Sequence, residues 1–159
     1  MLPKTDWAHL IPHAGTMCLL EAVVAWDQRT IHAISAGHAR ADHPLRGAPG
    51  LHAVHLAEYG AQAMAVHGAL LARAGGVTAV RPGRLVSLRD VQLGMEYVDC
   101  LDGRLDVHAE CLYADGGGAQ YGFRVEHRGV LLASGRAAVL HPDVIHPAIV
   151  QPEIGPPES

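Results

Sequence analysis

The chain is short of three things. It holds three cysteines in 159 residues, Cys18, Cys100 and Cys111. Their odd number and the lack of a Cys-x-x-Cys spacing exclude a disulfide framework and a zinc ribbon. Charge is sparse as well, at 18% of residues with a formal net charge of −4. No basic stripe runs through the sequence, so the electrostatic footprint of nucleic-acid binding is missing. Net charge does not report patches, and a local arginine cluster could still receive an acidic protein. A weakly charged surface also leaves room for an oligomer interface. The third shortage is of long apolar runs. None reaches the roughly 18 residues that a membrane span needs, and no apolar stretch follows Met1-Leu2-Pro3-Lys4 as it would in a signal peptide. Together these absences predict a soluble protein of a reducing cytoplasm, with no nucleic-acid or membrane partner.

What is present is apolar residue and histidine. Hydrophobic residues make up 49%, enough for a real core, and the length suits one domain. The twelve histidines are mostly scattered. His52, His55 and Glu58 could share one face of a helix. A structural metal would want a fourth ligand, so these histidines are read as polar or interface groups, and no metal or other cofactor is expected.

The order of elements follows from periodicity. Asp6 to Pro12 reads as a short helical turn, with Asp6 a possible N-cap and Pro12 a stop. Met17 to Trp26 and Thr30 to Ala36 read as strands joined by the turn Asp27-Gln28-Arg29. Gly37 to Gly50 has no periodicity and is read as a long loop, of the kind that often carries function. Leu51 to Ala74 has almost no β-branched residue and is rich in Ala and Gly. It predicts one helix buried on most sides, whose small residues allow another backbone to approach closely, ended by Gly75-Gly76.

The second half alternates as β-structure. Strands are predicted over Arg84 to Leu93, Leu105 to Tyr113, Tyr121 to His127 and Val130 to Leu140, with turns at Asp102-Gly103, Asp115-Gly116-Gly117-Gly118 and Arg128-Gly129. Residues 142–159 are proline-rich and predict an extended or disordered tail behind a single domain over 1–141. Two strands, one long buried helix and four more strands describe an α+β architecture, an antiparallel sheet wrapped around one long central helix.

Three segments carry a family resemblance over about residues 7–140. They are Leu10-Ile11-Pro12-His13 followed by Met17-Cys18-Leu19-Leu20-Glu21, then Glu58-Tyr59-Gly60-Ala61-Gln62-Ala63-Met64-Ala65, and Gly135-Arg136-Ala137 in the last strand. With them the chain resembles the hotdog-fold 3-hydroxyacyl-[acyl-carrier-protein] dehydratases, closest to the branch of aryl polyene and related pigment pathways. That family uses a carboxylate on the central helix and a histidine in the preceding loop. By position the resemblance assigns these roles to Glu58 and His43. The loop departs from the common Gly-His-Phe-Pro-Gly, since Asp42-His43-Pro44-Leu45-Arg46-Gly47 stands there.

The chemistry so implied is loss of water from a 3-hydroxyacyl thioester, giving the trans-2-enoyl thioester. A neutral His43 suits the base, since imidazole titrates near working pH. Desolvation of Glu58 on a buried helix would favour its protonated form and an acid role. Backbone N–H groups between Gly50 and His55, with Gly50 and Ala53 named as substrate-binding, would hold the thioester oxygen, aided by the helix dipole. Gln62, one turn beyond Glu58, is named as substrate-binding too, and could instead orient the carboxylate or satisfy backbone groups at a strand end. His13 is expected to make a structural hydrogen bond.

The resemblance further implies a dimer in which the histidine of one subunit meets the carboxylate of the other, as a homodimer or a hotdog heterodimer. It implies an acyl carrier protein as partner, its phosphopantetheine arm bearing the substrate, with Arg81, Arg84 and Arg89 as candidate docking charges. Two alternatives stay open. One is a hotdog thioesterase, in which the carboxylate activates water. The other is a non-catalytic subunit that completes a hotdog heterodimer.

Overall fold

The computed structural model describes residues 1–77 and 83–141. Arg81 and the proline-rich segment over 142–159 lie outside the described residues. Seven antiparallel strands form one sheet: β1 (Leu2–Pro3), β2 (Ala22–Trp26), β3 (Thr30–Ser35), β4 (Arg84–Leu93), β5 (Leu105–Asp115), β6 (Gly118–His127) and β7 (Val130–Leu140), in the spatial order β1-β2-β3-β5-β6-β7-β4. One long helix, α1 (Leu56–Ala74), lies across β3, β5, β6 and β7. This is the antiparallel sheet wrapped around one helix that the sequence pattern predicts, and the hotdog fold that the resemblance implies.

The strands alternate as read. Ile31 and Ala33 of β3, Leu105, Val107 and Ala109 of β5, and Phe123 and Val125 of β6 point into the core. The β5–β6 hairpin turns on Gly116-Gly117, where Asp115 Oδ1 accepts from the N–H of Gly117 (2.7 Å) and of Gly118 (3.0 Å). An aspartate is favoured at that position for this bond. The helix meets the sheet most closely at Phe123, the chain's single phenylalanine. A Cβ placed on Gly60 would come within 2.6 Å of that ring, and one on Gly135 within 2.8 Å. The two glycines make the slot in which the ring sits.

The structure corrects four local expectations. A two-residue strand, β1, pairs Leu2 with Val23 and Pro3 with Ala22, which no alternation in so short a segment could announce. The helical turn near the N-terminus is two separate 3-10 turns, Lys4–Asp6 and Ala8–Leu10, and Asp6 caps neither. Residues Gly15–Met17 form another 3-10 turn, so β2 begins only at Ala22. The helix begins at Leu56, because Ala53–His55 is a 3-10 turn in which His52 Nδ1 accepts from the N–H of Val54 (3.0 Å).

The helix is also more open than expected. Tyr59, Gly60, Gln62, Ala63, Val66, His67 and Leu70 are buried, whereas Ala57, Glu58, Ala61, Ala65 and Ala72 are only half-buried and Gly68 is exposed. At the sheet's end, β4 shows apolar side chains on both faces. Leu85, Val86, Leu88, Val91 and Leu93 are between 39% and 52% exposed. A bulge between Arg89 and Gln92, with Asp90 at φ 53°, shifts the register against β7 there.

Candidate active site

The first turn of α1 sends consecutive side chains to two environments. Glu58 emerges on the half-open side, its side chain 31% exposed. Gln62, one turn on and fully buried, donates Nε2–H to Glu58 Oε1 (3.1 Å) and to the carbonyl of Met17 (2.7 Å), and its Oε1 accepts from the N–H of Leu19 (2.8 Å). The Leu19 N–H can meet only an oxygen, so the amide has one allowed orientation. His13, from the segment before β2, places Nε2 3.0 Å from the same Glu58 Oε1. Among the described residues no hydrogen bond reaches Glu58 Oε2.

Tyr59 points the other way and is fully buried. Its hydroxyl lies 2.9 Å from His43 Nε2, and the N–H of Leu45 donates to His43 Nδ1 (3.1 Å). The Leu45 contact uses the Nδ1 lone pair, so Nε2 carries the proton and donates to the tyrosine oxygen. Burial pushes the His43 imidazole below its usual range, with His38 nearby adding to the shift, and burial pushes the Tyr59 hydroxyl up. His43 and Tyr59 border a cavity of about 250 Å³, together with Cys18, Glu21, Arg40 and Asp42. Glu58 is not among its lining residues.

Each expected site residue therefore has a place. Glu58 lies in the first turn of α1 and His43, in the preceding loop, meets that turn through Tyr59, but no hydrogen bond joins the two within the chain. The base role expected of His43 needs a free lone pair, and in this arrangement it has none. Glu58 is not deeply desolvated, as its one-third exposure shows. The expected backbone donors are largely occupied. The N–H of Gly50 donates to Gly47 O (3.2 Å), Leu51 to Asp99 Oδ1 (2.9 Å), Ala53 to Glu96 O (2.7 Å), Val54 to His52 Nδ1 (3.0 Å) and His55 to His52 O (3.1 Å).

The N–H groups of Gly50 and Ala53, expected to hold the thioester oxygen, thus make bonds within the chain, and Gly50 also has a structural part. Gly50 has φ +136°, and a Cβ there would fall 2.4 Å from Asp99 Oδ1. Its bare backbone lets Asp99 tie down Leu51 and pair with Arg46 (3.0 Å). Gln62, expected to bind substrate, has both amide ends bonded to protein partners within the chain. Sequence reasoning missed His13 as a neighbour of Glu58. The Pro-His pair ahead of β2 was visible, but nothing in its spacing points to the helix.

With this geometry in hand, the family model that matches residues 5–150 is that of the ApeP-like dehydratases. The chain belongs to the ApeP-like dehydratase family. Among solved structures it is similar to the dehydratase heterocomplex ApeI:P from Xenorhabdus doucetiae, with a TM-score of 0.77 and 22% identity over 91% of this chain and 93% of that one. Fold likeness extends to a hypothetical thioesterase with coenzyme A from Streptococcus pneumoniae (TM-score 0.59, 10% identity, 86% and 94% covered). It extends also to a mutant of the phenylacetic acid degradation protein PaaI from Thermus thermophilus (TM-score 0.56, 20% identity, 78% and 94% covered). Among curated proteins none matches.

Proposed function

We propose that this ApeP-like chain removes water from a 3-hydroxyacyl thioester borne on an acyl carrier protein. The observation that carries the reading is Glu58, held at Oε1 on the open side of α1 and, among the described residues, without a protein partner at Oε2. In this reading Glu58 acts first as the base. It takes the proton from C2 at Oε2. The C3–O bond then breaks, and the same proton leaves with the hydroxyl as water, so one carboxylate balances the elimination. Proton transfer by a placed side chain of this kind contributes about 10²–10⁴-fold. The role of His43 is then to donate. Its Nε2–H, given to Tyr59 in the free chain, can instead meet an oxygen that gains charge.

Glu58 and His43 open onto different sides of one protomer, which favours a site shared between chains. Two surfaces suit a second hotdog subunit. They are the small-residue stripe of α1 that includes Ala61, Ala65 and Gly68, and the apolar β4 edge. An unpaired apolar edge strand is a ready template for another chain. The resulting unit, one hotdog domain over 1–141 with a like domain beside it, takes its substrate from the carrier's phosphopantetheine arm. Arg84 and Arg89 lie exposed on β4 and are the described candidates for docking an acidic carrier. Three unpaired cysteines suit a reducing compartment such as the cytoplasm. Among the described residues no helix is long and apolar enough to cross a membrane.

The test is product mass. The full chain, alone and with a second hotdog subunit, is incubated with a 3-hydroxyacyl-carrier thioester. Loss of one water is expected, and it should fall by about 10²–10⁴-fold in Glu58→Gln. Release of the free acid would instead mark a thioesterase, for which an open Glu58 Oε2 could activate water. Turnover that survives Glu58→Gln would make this chain a non-catalytic subunit.

A further inference from the structure

We infer that His13 is a positioning residue for Glu58, which it holds together with Gln62 so that Oε2 alone is presented to substrate. The inference rests on the reading of Glu58 as the proton-carrying group. Three observations support it. His13 Nε2 and Gln62 Nε2 converge on one oxygen, at 3.0 and 3.1 Å, and among the described residues nothing bonds to the other. A nitrogen lone pair facing a carboxylate oxygen at that distance would be repelled, so Nε2 must carry a proton. His13 Nδ1 is buried and, among the described residues, has no hydrogen-bond partner. A ring placed only for structure would satisfy its buried nitrogen, and an orphaned buried group calls for an explanation.

The approach of His13 is itself built. Pro12 fixes the chain just ahead of it, and Gly15 follows at φ +59°, a conformation glycine adopts freely. Gln62 ties the next stretch to α1 through Met17 O and Leu19 N. One side chain therefore clamps the segment that carries His13 and also contacts the carboxylate that His13 meets. His13 needs no contact with substrate. It acts through the direction it gives Glu58, and it stabilises the anion that remains whenever the proton is passed on.

The test has a kinetic arm and a spectroscopic arm. In turnover of a 3-hydroxyoctanoyl-carrier thioester by the full chain, with its partner subunit if one is required, His13→Ala should lower kcat about 10–100-fold while KM stays within about threefold. His13→Gln, which can return an N–H near the Nε2 position, should recover most of that loss. In a Glu58→Gln background His13→Ala should cost nothing further, because residues that act as a unit are not additive. Independent multiplicative losses, or no recovery with Gln, would overturn the inference.

The spectroscopic arm needs no activity. The ¹⁵N spectrum of the His13 ring should show a proton on Nε2 in the wild type and a mixed tautomer in Glu58→Gln. Identical tautomers in both would also overturn the inference. Release of free acid by the wild type would overturn the dehydratase reading alone, since the same His13 variants can then be followed on hydrolysis.

Discussion

The two sides of α1 are made of the same small, apolar stock and behave in opposite ways. On the closed side, Tyr59, Gln62 and His67 bring polar atoms into the core, and their hydrogen-bonding groups find partners there. His67 lies between Tyr121 Oη and the carbonyl of Asp27, each 2.9 Å away. On the open side one charged residue, Glu58, stands in a row of alanines with an oxygen to spare. Burial forces polar groups into pairs. The group proposed to carry the proton needs the reverse, and Glu58 stands where the helix is left uncovered.

That contrast can be broken at several points. The largest effect is expected at Glu58→Gln, which should lower turnover by about 10²–10⁴-fold and leave the thermal midpoint nearly unchanged, because the residue is partly exposed. Substitutions on the closed side should do the opposite. Gly60→Ala drives a methyl into the Phe123 ring. Overpacking of about 1–3 kcal/mol should outweigh the gain of about 1 kcal/mol in helix propensity, which urea denaturation would read. Tyr59→Phe leaves the buried Nε2–H of His43 without its acceptor and should cost about 1–3 kcal/mol, measured in the same way.

Acid sharpens the comparison further. Burial holds the pKa values of His38, His43 and His67 below the ordinary histidine value in the fold, so the unfolded chain binds protons that the fold refuses. Their contribution is complete above about pH 6.5 and is lost as pH falls below it. Urea midpoints at pH 7.5 and 5.5 should differ in that sense, and His67→Gln should reduce the difference. The smallest effect belongs to Gly68→Ala on the open side. A Cβ there meets nothing within 4 Å, so the free chain should gain up to about 1 kcal/mol. If the stripe packs against a second subunit, assembly should weaken at the same time, as sedimentation would show.

Much of this was legible in the sequence because it is local. Alternation in β5 and β6, and the alanine-rich run of α1, report the element each residue sits in, and Glu58 stood out as the one carboxylate on that run. The unread part is non-local or depends on backbone. His13 reaches Glu58 across the fold. The tautomer of His43 is set by the N–H of Leu45, which carries no side-chain signal. The N–H groups of Gly50 and Ala53 looked free as letters and proved engaged by Gly47 and Glu96. A residue type announces what it can donate or accept, and only the folded chain shows what is already taken.

The place of β4 in the sheet has a consequence for synthesis. Its pairing partner is β7, the last strand of the sheet in chain order. As the polypeptide leaves the ribosome, at about 5–20 residues per second, β4 emerges before the strand that will pair with it. For some seconds its leucines and valines are the stickiest part of the nascent chain. A message cut short ahead of β7 would release that strand with neither edge paired. Nascent-chain quality control would meet it as an aggregation-prone fragment, while a chain finished through Leu140 can bury one of its two edges.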